Sequence, residues 1–345
     1  MALPPPRPPF SALPLDPKGP AGNAWGLYGE SDNLGALNML TPAVVASAAA
    51  SEIRTGERVS LDWSLDKPSH PSFDRPSFQH HKWMKKHPDG SPKYIHDDFI
   101  SFNTQCSSQW DGFRHYGYQK AKKFYNGANP EDLDDPQVIG IDAWVEKGGI
   151  VGRGVLLDYP TYCKKHGLPV LNAFDSTSIP LSTLQAIAQD QGVSFQTGDI
   201  LFVRVGFTTA YDALTPDEQK AIPERPEPNF LGVSSTSEVL RWIWESGFSA
   251  VASDAPSFEQ APIVGAHNAS GTLWKDESWE AEMLGGGLLH QWLLAGWGCP
   301  IGEMFDLEAL SRKCQELGRW TFFVSSVPLK VPGGVASPPN AIAIF

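Results

Sequence analysis

The chain has 345 residues and a mass of 37.7 kDa, enough for one large α/β domain without requiring two cores. Its net charge of −12 argues against nucleic acid or an anionic membrane surface as a partner. With no apolar run of about 18 residues, no membrane span is expected. Four scattered cysteines, Cys106, Cys163, Cys299 and Cys314, form no C-x-x-C pair and read as reduced intracellular thiols. The proline-broken N-terminus lacks the apolar core of a secretory signal, so the expected location is cytoplasmic.

Residues 1–24 are rich in Pro and Gly and predict an extended arm, loose or lying across a neighbouring subunit. The remainder, 25–345, reads as a single α/β domain. Thr41-Pro42 gives an N-cap with Pro at the first helical position, and the Ala-rich run to Ile53 predicts a helix that stops near Gly56. Arg58 to Leu65 alternates apolar and polar residues and predicts a half-buried strand. The polar, proline-bearing and histidine-rich stretch 68–98 predicts a long substrate-covering loop. A strand, Phe99 to Thr104, follows.

A loop or lid is expected over Tyr116 to Gln137, a short helix ending at Gly148-Gly149, and a strand over Ile150 to Leu157. Ser182 to Gln191 has helical periodicity, and Ile200 to Gly206 reads as a buried strand. Ser235-Thr236-Ser237-Glu238 has the pattern of a capping box opening a helix over Val239 to Ser246. A strand, Phe248 to Ser253, and a polar turn at Asp254 come next. Helices at His290 and from Asp306 bracket the 296–303 connection, and Phe322 to Leu329 supplies a late strand. Mixed strands and helices without repeats indicate an α/β fold.

Two segments carry candidate chemistry. Gln105-Cys106-Ser107-Ser108-Gln109-Trp110-Asp111-Gly112-Phe113-Arg114-His115 concentrates polar groups at positions 105, 109, 111 and 115, and the first three share a face if the backbone is extended. Far down the chain, Leu288-Leu289-His290-Gln291-Trp292 and Ile301-Gly302-Glu303-Met304 add an imidazole and a carboxylate. Asp111, His115, His290 and Glu303 together would suffice for a divalent metal ion and an acid/base residue.

On these two segments the chain resembles the putative cyclase family, which includes bacterial-type kynurenine formamidases and isatin hydrolases. Trp25-Gly26, Asn33 to Asn38, Gly152 to Asp158, Gly198 to Leu201, Ser253 to Pro256 and Ser337 to Ala341 extend the resemblance almost end to end. It implies the swivelling β/β/α fold of that family, usually oligomeric, so a homo-oligomer (dimer or tetramer) is expected. The family's first motif, His-x-x-x-His-x-Asp-x-x-x-His, falls on Gln105, Gln109, Asp111 and His115, and its later His and Glu fall on His290 and Glu303. The resemblance therefore implies Asp111, His290, Glu303, Gln105 and Gln109 as metal positions and His115 as the residue that moves the proton.

Both leading histidines of the motif are glutamine in this chain. An amide oxygen in place of an imidazole nitrogen weakens zinc and favours a harder ion such as manganese, or abolishes tight binding. The expected cofactor is a divalent ion, manganese or zinc. Trp110, Phe113 and Trp292 suit a flat aromatic substrate, although each also suits a core. The resemblance implies a metal-assisted hydrolase of a small, aromatic amide, lactam or formamide. Two alternatives stay open: a degenerate member that binds a small molecule, and a metal-free acid/base cyclase.

Overall fold

The protein is described from a computed structural model over residues 6–262 and 289–345. Residues 1–5 of the predicted arm and Leu288 of the second motif lie outside this range. Residues 6–24 lie against their own chain: Arg7 Nη2 donates to the Phe248 carbonyl at 2.7 Å, and Phe10 stacks on Trp292 with ring centroids 6.1 Å apart.

Helix α1, Pro42–Glu52, starts where Thr41 accepts the Val44 N–H and Pro42 presets the first turn. Strand β1, Arg58–Ser60, is shorter than its sequence pattern because the chain leaves the sheet after Leu61, whose N–H donates to the Ala341 carbonyl. The segment predicted as a loop is instead a hairpin of β2, Gln79–Lys86, and β3, Pro92–Ser101. Its turn is set by Pro88-Asp89-Gly90: Gly90 takes φ +86° and Asp89 Oδ1 accepts the Ser91 N–H at 2.9 Å. Both faces of the ribbon are in water, so no alternation of apolar and polar residues marked it as strand.

The next elements are β4, Gln109–Asp111; α2, Asp142–Glu146; β5, Ile150–Asp158; α3, Tyr159–His166; β6, Ser178–Ile179; and α4, Leu181–Asp190. Then come β7, Ile200–Arg204; α5, Phe207–Asp212; α6, Pro216–Ala221; β8, Gly232–Val233; α7, Ser237–Ser246; and β9, Ala250–Ser253. Thr236 caps α7 by accepting the Val239 N–H, one residue later than the capping-box pattern places the start. A π-helical stretch, Gln291–Gly296, leads into β10, Ile301–Glu303. The chain closes with α8, Glu308–Leu317; β11, Thr321–Ser326; β12, Ala336–Ser337; and β13, Ala341–Ile344.

The fold is α/β, built on a nine-stranded mixed sheet in the order β1-β13-β11-β5-β7-β9-β10-β4-β12. Its centre, β5-β7-β9-β10, is parallel, with helices in the crossovers from β5 to β7 and from β7 to β9. Ile200–Val203 and Ala250–Ser253 are buried throughout, which is why they read as unbroken apolar or small-residue runs. Strand β4 pairs antiparallel with β10, and this reversal of direction at the end of the parallel block brings the two predicted motifs together. Among the described residues no helix is long and apolar enough to cross a membrane.

Candidate functional site

Cross-strand register assembles the first part of the site. Gln109 pairs with Glu303 and Ile301 with Asp111, so Gln109, Asp111 and Glu303 project from one face of the sheet. Gln109 Nε2 donates to Glu303 Oε2 at 2.8 Å and lies 3.3 and 3.4 Å from the two Asp111 oxygens. Gln105 comes from the turn before β4 and reaches the same point, donating through Nε2 to Asp111 Oδ1 at 2.7 Å. His115 follows from the turn after β4, where its N–H donates to the Gly112 carbonyl.

His290 enters from the residue preceding the π-helical stretch. Its Nε2 lies 3.1 Å from Glu303 Oε1 and 3.9 Å from Asp111 Oδ2, while His115 Nε2 is 3.8 Å from the same Asp111 oxygen. Asp111, His115 and His290 thus each offer a ligand atom, all within 4.8 Å of one another. Asp111 is fully buried and His290 is 6% exposed, while the His115 side chain is half-buried and gives the cluster its opening to solvent.

Glu259 completes the group, and the sequence analysis missed it. It is fully buried, accepts from His290 Nδ1 at 2.8 Å through Oε2, and accepts the His290 main-chain N–H at 3.1 Å through Oε1. This is the carboxylate–imidazole arrangement that fixes which ring nitrogen of a ligand histidine faces the centre. The motif at Ser253-Asp254-Ala255-Pro256 stops three residues short of Glu259. A carboxylate between Phe258 and Gln260-Ala261 was the available signal, because a buried charge needs a partner. Asp254 itself is structural: it accepts the N–H groups of Val205, Gly206 and Phe207 at the start of α5.

Electrostatics separate the two imidazoles. Burial lowers His115 to about 4 against the opposing pull of Asp111, with His290 adding to the depression, so His115 is neutral at pH 7. Burial also works against charging His290, but the Glu259 and Glu303 carboxylates outweigh it and hold the group well above its ordinary value. Burial, then the Asp111 charge, raises Glu303 to about 7 despite His290. Cys106 is buried in the wall beside Gln105, and desolvation raises its thiol, which removes it as a nucleophile.

Asp111 and His290, with Glu303 alongside, form a donor set that fits a divalent cation, with His115 at its edge. Gln109 Oε1 supports the fit, being a buried acceptor without a hydrogen-bond partner. The three predicted aromatic contacts lie elsewhere. Trp110 points to the opposite face of β4, against Phe305, with Nε1 donating to Ser326 Oγ at 2.9 Å. Phe113 is buried between Tyr125 and Trp144, and Trp292 packs with Phe10 and Trp297. All three are core residues, because strand alternation and helix rotation turn them away from the site.

Nearer the cluster are Tyr116, whose ring centroid is 5.7 Å from that of His290, and Arg75, whose Nη1 donates to the Gln105 carbonyl at 2.6 Å. Arg75 lines a small cavity with His70, Phe207, Tyr211 and Met304, and its guanidinium lies over the Phe73 ring.

The sequence profile of a family described as "Putative cyclase" matches residues 37–260. No curated protein matches the chain. Among solved structures, one described as a novel cyclase is similar over 94% of this chain and 99% of its own, at 28% identity and a TM-score of 0.76. Isatin hydrolase A from Ralstonia solanacearum is similar over 88% of this chain and 97% of its own, at 16% identity and a TM-score of 0.54. Isatin hydrolase A from Labrenzia aggregata, bound to benzyl benzoate, covers 87% and 97% at 14% identity and a TM-score of 0.53. The isatin hydrolases bear on the fold alone. The buried Asp111–His115–His290 cluster is positioned to coordinate a metal ion, consistent with metal-assisted hydrolysis of a small amide or lactam.

Proposed function

The chain belongs to the putative cyclase family, and on that premise we propose that it is a metal-assisted hydrolase of a small, aromatic amide, lactam or formamide. One observation carries this reading: two imidazoles and a buried carboxylate from distant segments converge to within 4.8 Å of one another, with an unpartnered amide oxygen beside them. Asp111 and His290 would hold the ion, with Glu303, Gln105 and Gln109 completing its surroundings. Both glutamines occupy the positions of the family's leading histidines, which favours manganese over zinc. When bound, a divalent ion polarises the scissile carbonyl and makes water a better nucleophile.

The chain's own residues then handle protons and charge. His115, neutral at pH 7, takes the proton from the attacking water and passes it to the departing nitrogen. Gln105 selects its tautomer. With Nε2 donating to His115 Nδ1 at 2.8 Å, the imidazole proton sits on Nε2. Turning the amide by 180° would place the proton on Nδ1 and leave Nε2 free to accept. Such a turn sets the amide oxygen against Asp111, which a cation at the centre makes tolerable. Without an ion, the proton on His290 offsets the neighbouring carboxylates, so ion binding is expected to release it.

We read residues 25–345 as one domain, since a single apolar cluster runs from Ala24 to Phe345, with residues 1–24 as an arm packed on it. The buried free cysteines support a cytoplasmic location, and a homo-oligomer, dimer or tetramer, is the expected state. A second reading, a small-molecule binding protein or a metal-free acid/base cyclase, has one observation in its favour: the amide N–H groups of Gln105 and Gln109 already hydrogen-bond Asp111 and Glu303 without an ion.

The test is metal content per chain of protein purified without chelators, with an Asp111→Asn control, followed by hydrolysis of a panel of aromatic formamides and lactams. The expected result is near-stoichiometric manganese or zinc that is lost in the control, and turnover that is lost in His115→Asn. A wild type that neither retains nor takes up either metal and hydrolyses nothing in the panel overturns the hydrolase reading.

A further inference from the structure

The half-buried guanidinium of Arg75 stands in the wall of the site with most of its donors unused. Its one hydrogen bond among the described residues runs from Nη1 to the Gln105 carbonyl at 2.6 Å, and no carboxylate among them pairs with it. Other partly buried arginines are committed. Arg153 pairs with Glu52 and Asp199, Arg204 pairs with Asp158 and Glu308, and Arg114 donates to the carbonyls of Leu133, Asp135 and Val138. A guanidinium carries a planar fork of donors and no acceptor, so what Arg75 lacks is an anion.

The backbone holds it in place at a cost. Phe73 and Asp74, the two residues before it, have φ of +63° and +56°, a left-handed conformation that is unfavourable outside glycine and most of all for a bulky side chain. The turn they make brings the Arg75 guanidinium over the Phe73 ring, 5.1 Å from its centroid. Strain of this kind persists where it positions a group for use.

We propose that Arg75 is the anion-binding residue of the substrate site, and that the aromatic amide taken there carries a carboxylate apart from its scissile bond. The amide rests on the hydrolase reading above; the anion site rests on the geometry of Arg75 alone.

Position separates the carboxylate from the reacting group. Gln105 lies between Arg75 and the cluster: its carbonyl meets the guanidinium, while its side-chain Nε2 donates to Asp111 Oδ1 at 2.7 Å and to His115 Nδ1 at 2.8 Å. Arg75 is near enough that its charge, after the larger effect of burial, pulls down both His115 and Glu303, yet it bonds to neither. A flat aromatic ring spans such a gap, with its amide at the cluster and its carboxylate at the fork.

Charge makes the residue selective. The chain carries −12 overall, and Asp111, Glu259 and Glu303 crowd the cluster, so an anionic substrate is repelled unless a cation receives it. Arginine meets a carboxylate in one plane through two parallel bonds, whereas a neutral amide offers it one acceptor and no charge. Phe207 and Met304, in the wall of the adjoining small cavity, lower the local polarity and strengthen that pairing.

The experiment is calorimetric titration of the full chain, freed of metal by chelator, with benzoate and with benzamide, flat probes of one size that differ in charge. Wild type is expected to bind benzoate at least about 10-fold more tightly than benzamide, and Arg75→Met to lose about 10–100-fold in benzoate affinity with benzamide unchanged. Arg75→Lys keeps the charge without the fork and is expected to fall between them. Thermal melting checks that each variant folds; should Arg75→Met fail to fold, Arg75→Lys must still weaken benzoate and spare benzamide. Equal binding of the two probes by wild type, binding of neither, or a folded variant that loses both alike, as a purely structural tie to Gln105 predicts, overturns the proposal. In metal-loaded protein, Arg75→Met is expected to raise KM for para-formamidobenzoate with kcat near wild type and to leave formanilide unaffected. Turnover of neither compound, with benzoate still held through Arg75, sinks the hydrolase reading and keeps the anion site.

Discussion

Replacing Glu259 by Gln tests the buried network where it is most specific. The substitution keeps the shape and an oxygen that can accept from His290 Nδ1, now 2.8 Å away, but removes a charge that reaches the metal position only through His290. The carboxylate also accepts the His290 main-chain N–H, so the loss falls on two hydrogen bonds to a charged group. Bonds of this kind contribute about 1.5–3 kcal/mol each at most, and the retained geometry keeps the net cost near about 2 kcal/mol. For a chain of this size, with its large unfolding entropy, that lowers the melting temperature by roughly 3 °C. The imidazolium of His290 loses its main counter-charge and its pKa falls toward the ordinary value. Affinity for manganese, measured by calorimetric titration of chelator-treated protein, is expected to fall 10–100-fold, because the outer carboxylate no longer orients the ring and strengthens it as a donor. A Glu259→Gln variant that melts with wild type and binds manganese equally well would refute the role assigned to Glu259.

Two further outcomes follow from named contacts. His115 is held at about 4 against an ordinary 6.5, so on acidification the unfolded chain takes up its proton first. That contribution to stability is complete above about pH 6.5 and is lost as pH falls to about 4, a change of about 3 kcal/mol. Urea unfolding in chelator should therefore show a smaller acid destabilisation in His115→Asn than in wild type over this window, and identical pH profiles would count against burial of a neutral imidazole. At Gly302, an added Cβ would lie 2.6 Å from Phe305 Cε2, 2.7 Å from Ala252 Cβ and 2.9 Å from Trp110 Cζ3. Gly302→Ala is expected to cost about 1–3 kcal/mol through overpacking and to displace the adjacent Glu303. Wild-type stability together with unchanged manganese affinity would show that β10 has more room than these contacts allow.

The sequence by itself determined the parts of this protein that depend on local pattern. The cap at Thr41-Pro42, the buried strands at Ile200 and Ala250, and the spacing of Asp111 and His115 are fixed by steric preference, burial and pleat over a few residues, and each is legible without the fold. The second segment and the family resemblance pointed to Glu303 and His290, although only the β4–β10 register places Glu303 opposite Gln109. Tertiary structure decided the rest. Trp110 and Phe113 belong to the core because strand alternation and the following turn aim them at Phe305 and Trp144, a direction that composition does not carry. Glu259 belongs to the site because a segment after β9 passes beside His290; its apolar neighbours hint at burial, but not at which partner it meets. The hairpin at 79–101 was hidden for the opposite reason: a ribbon solvated on both faces has no buried side to impose a period, so only its backbone pairing reveals it.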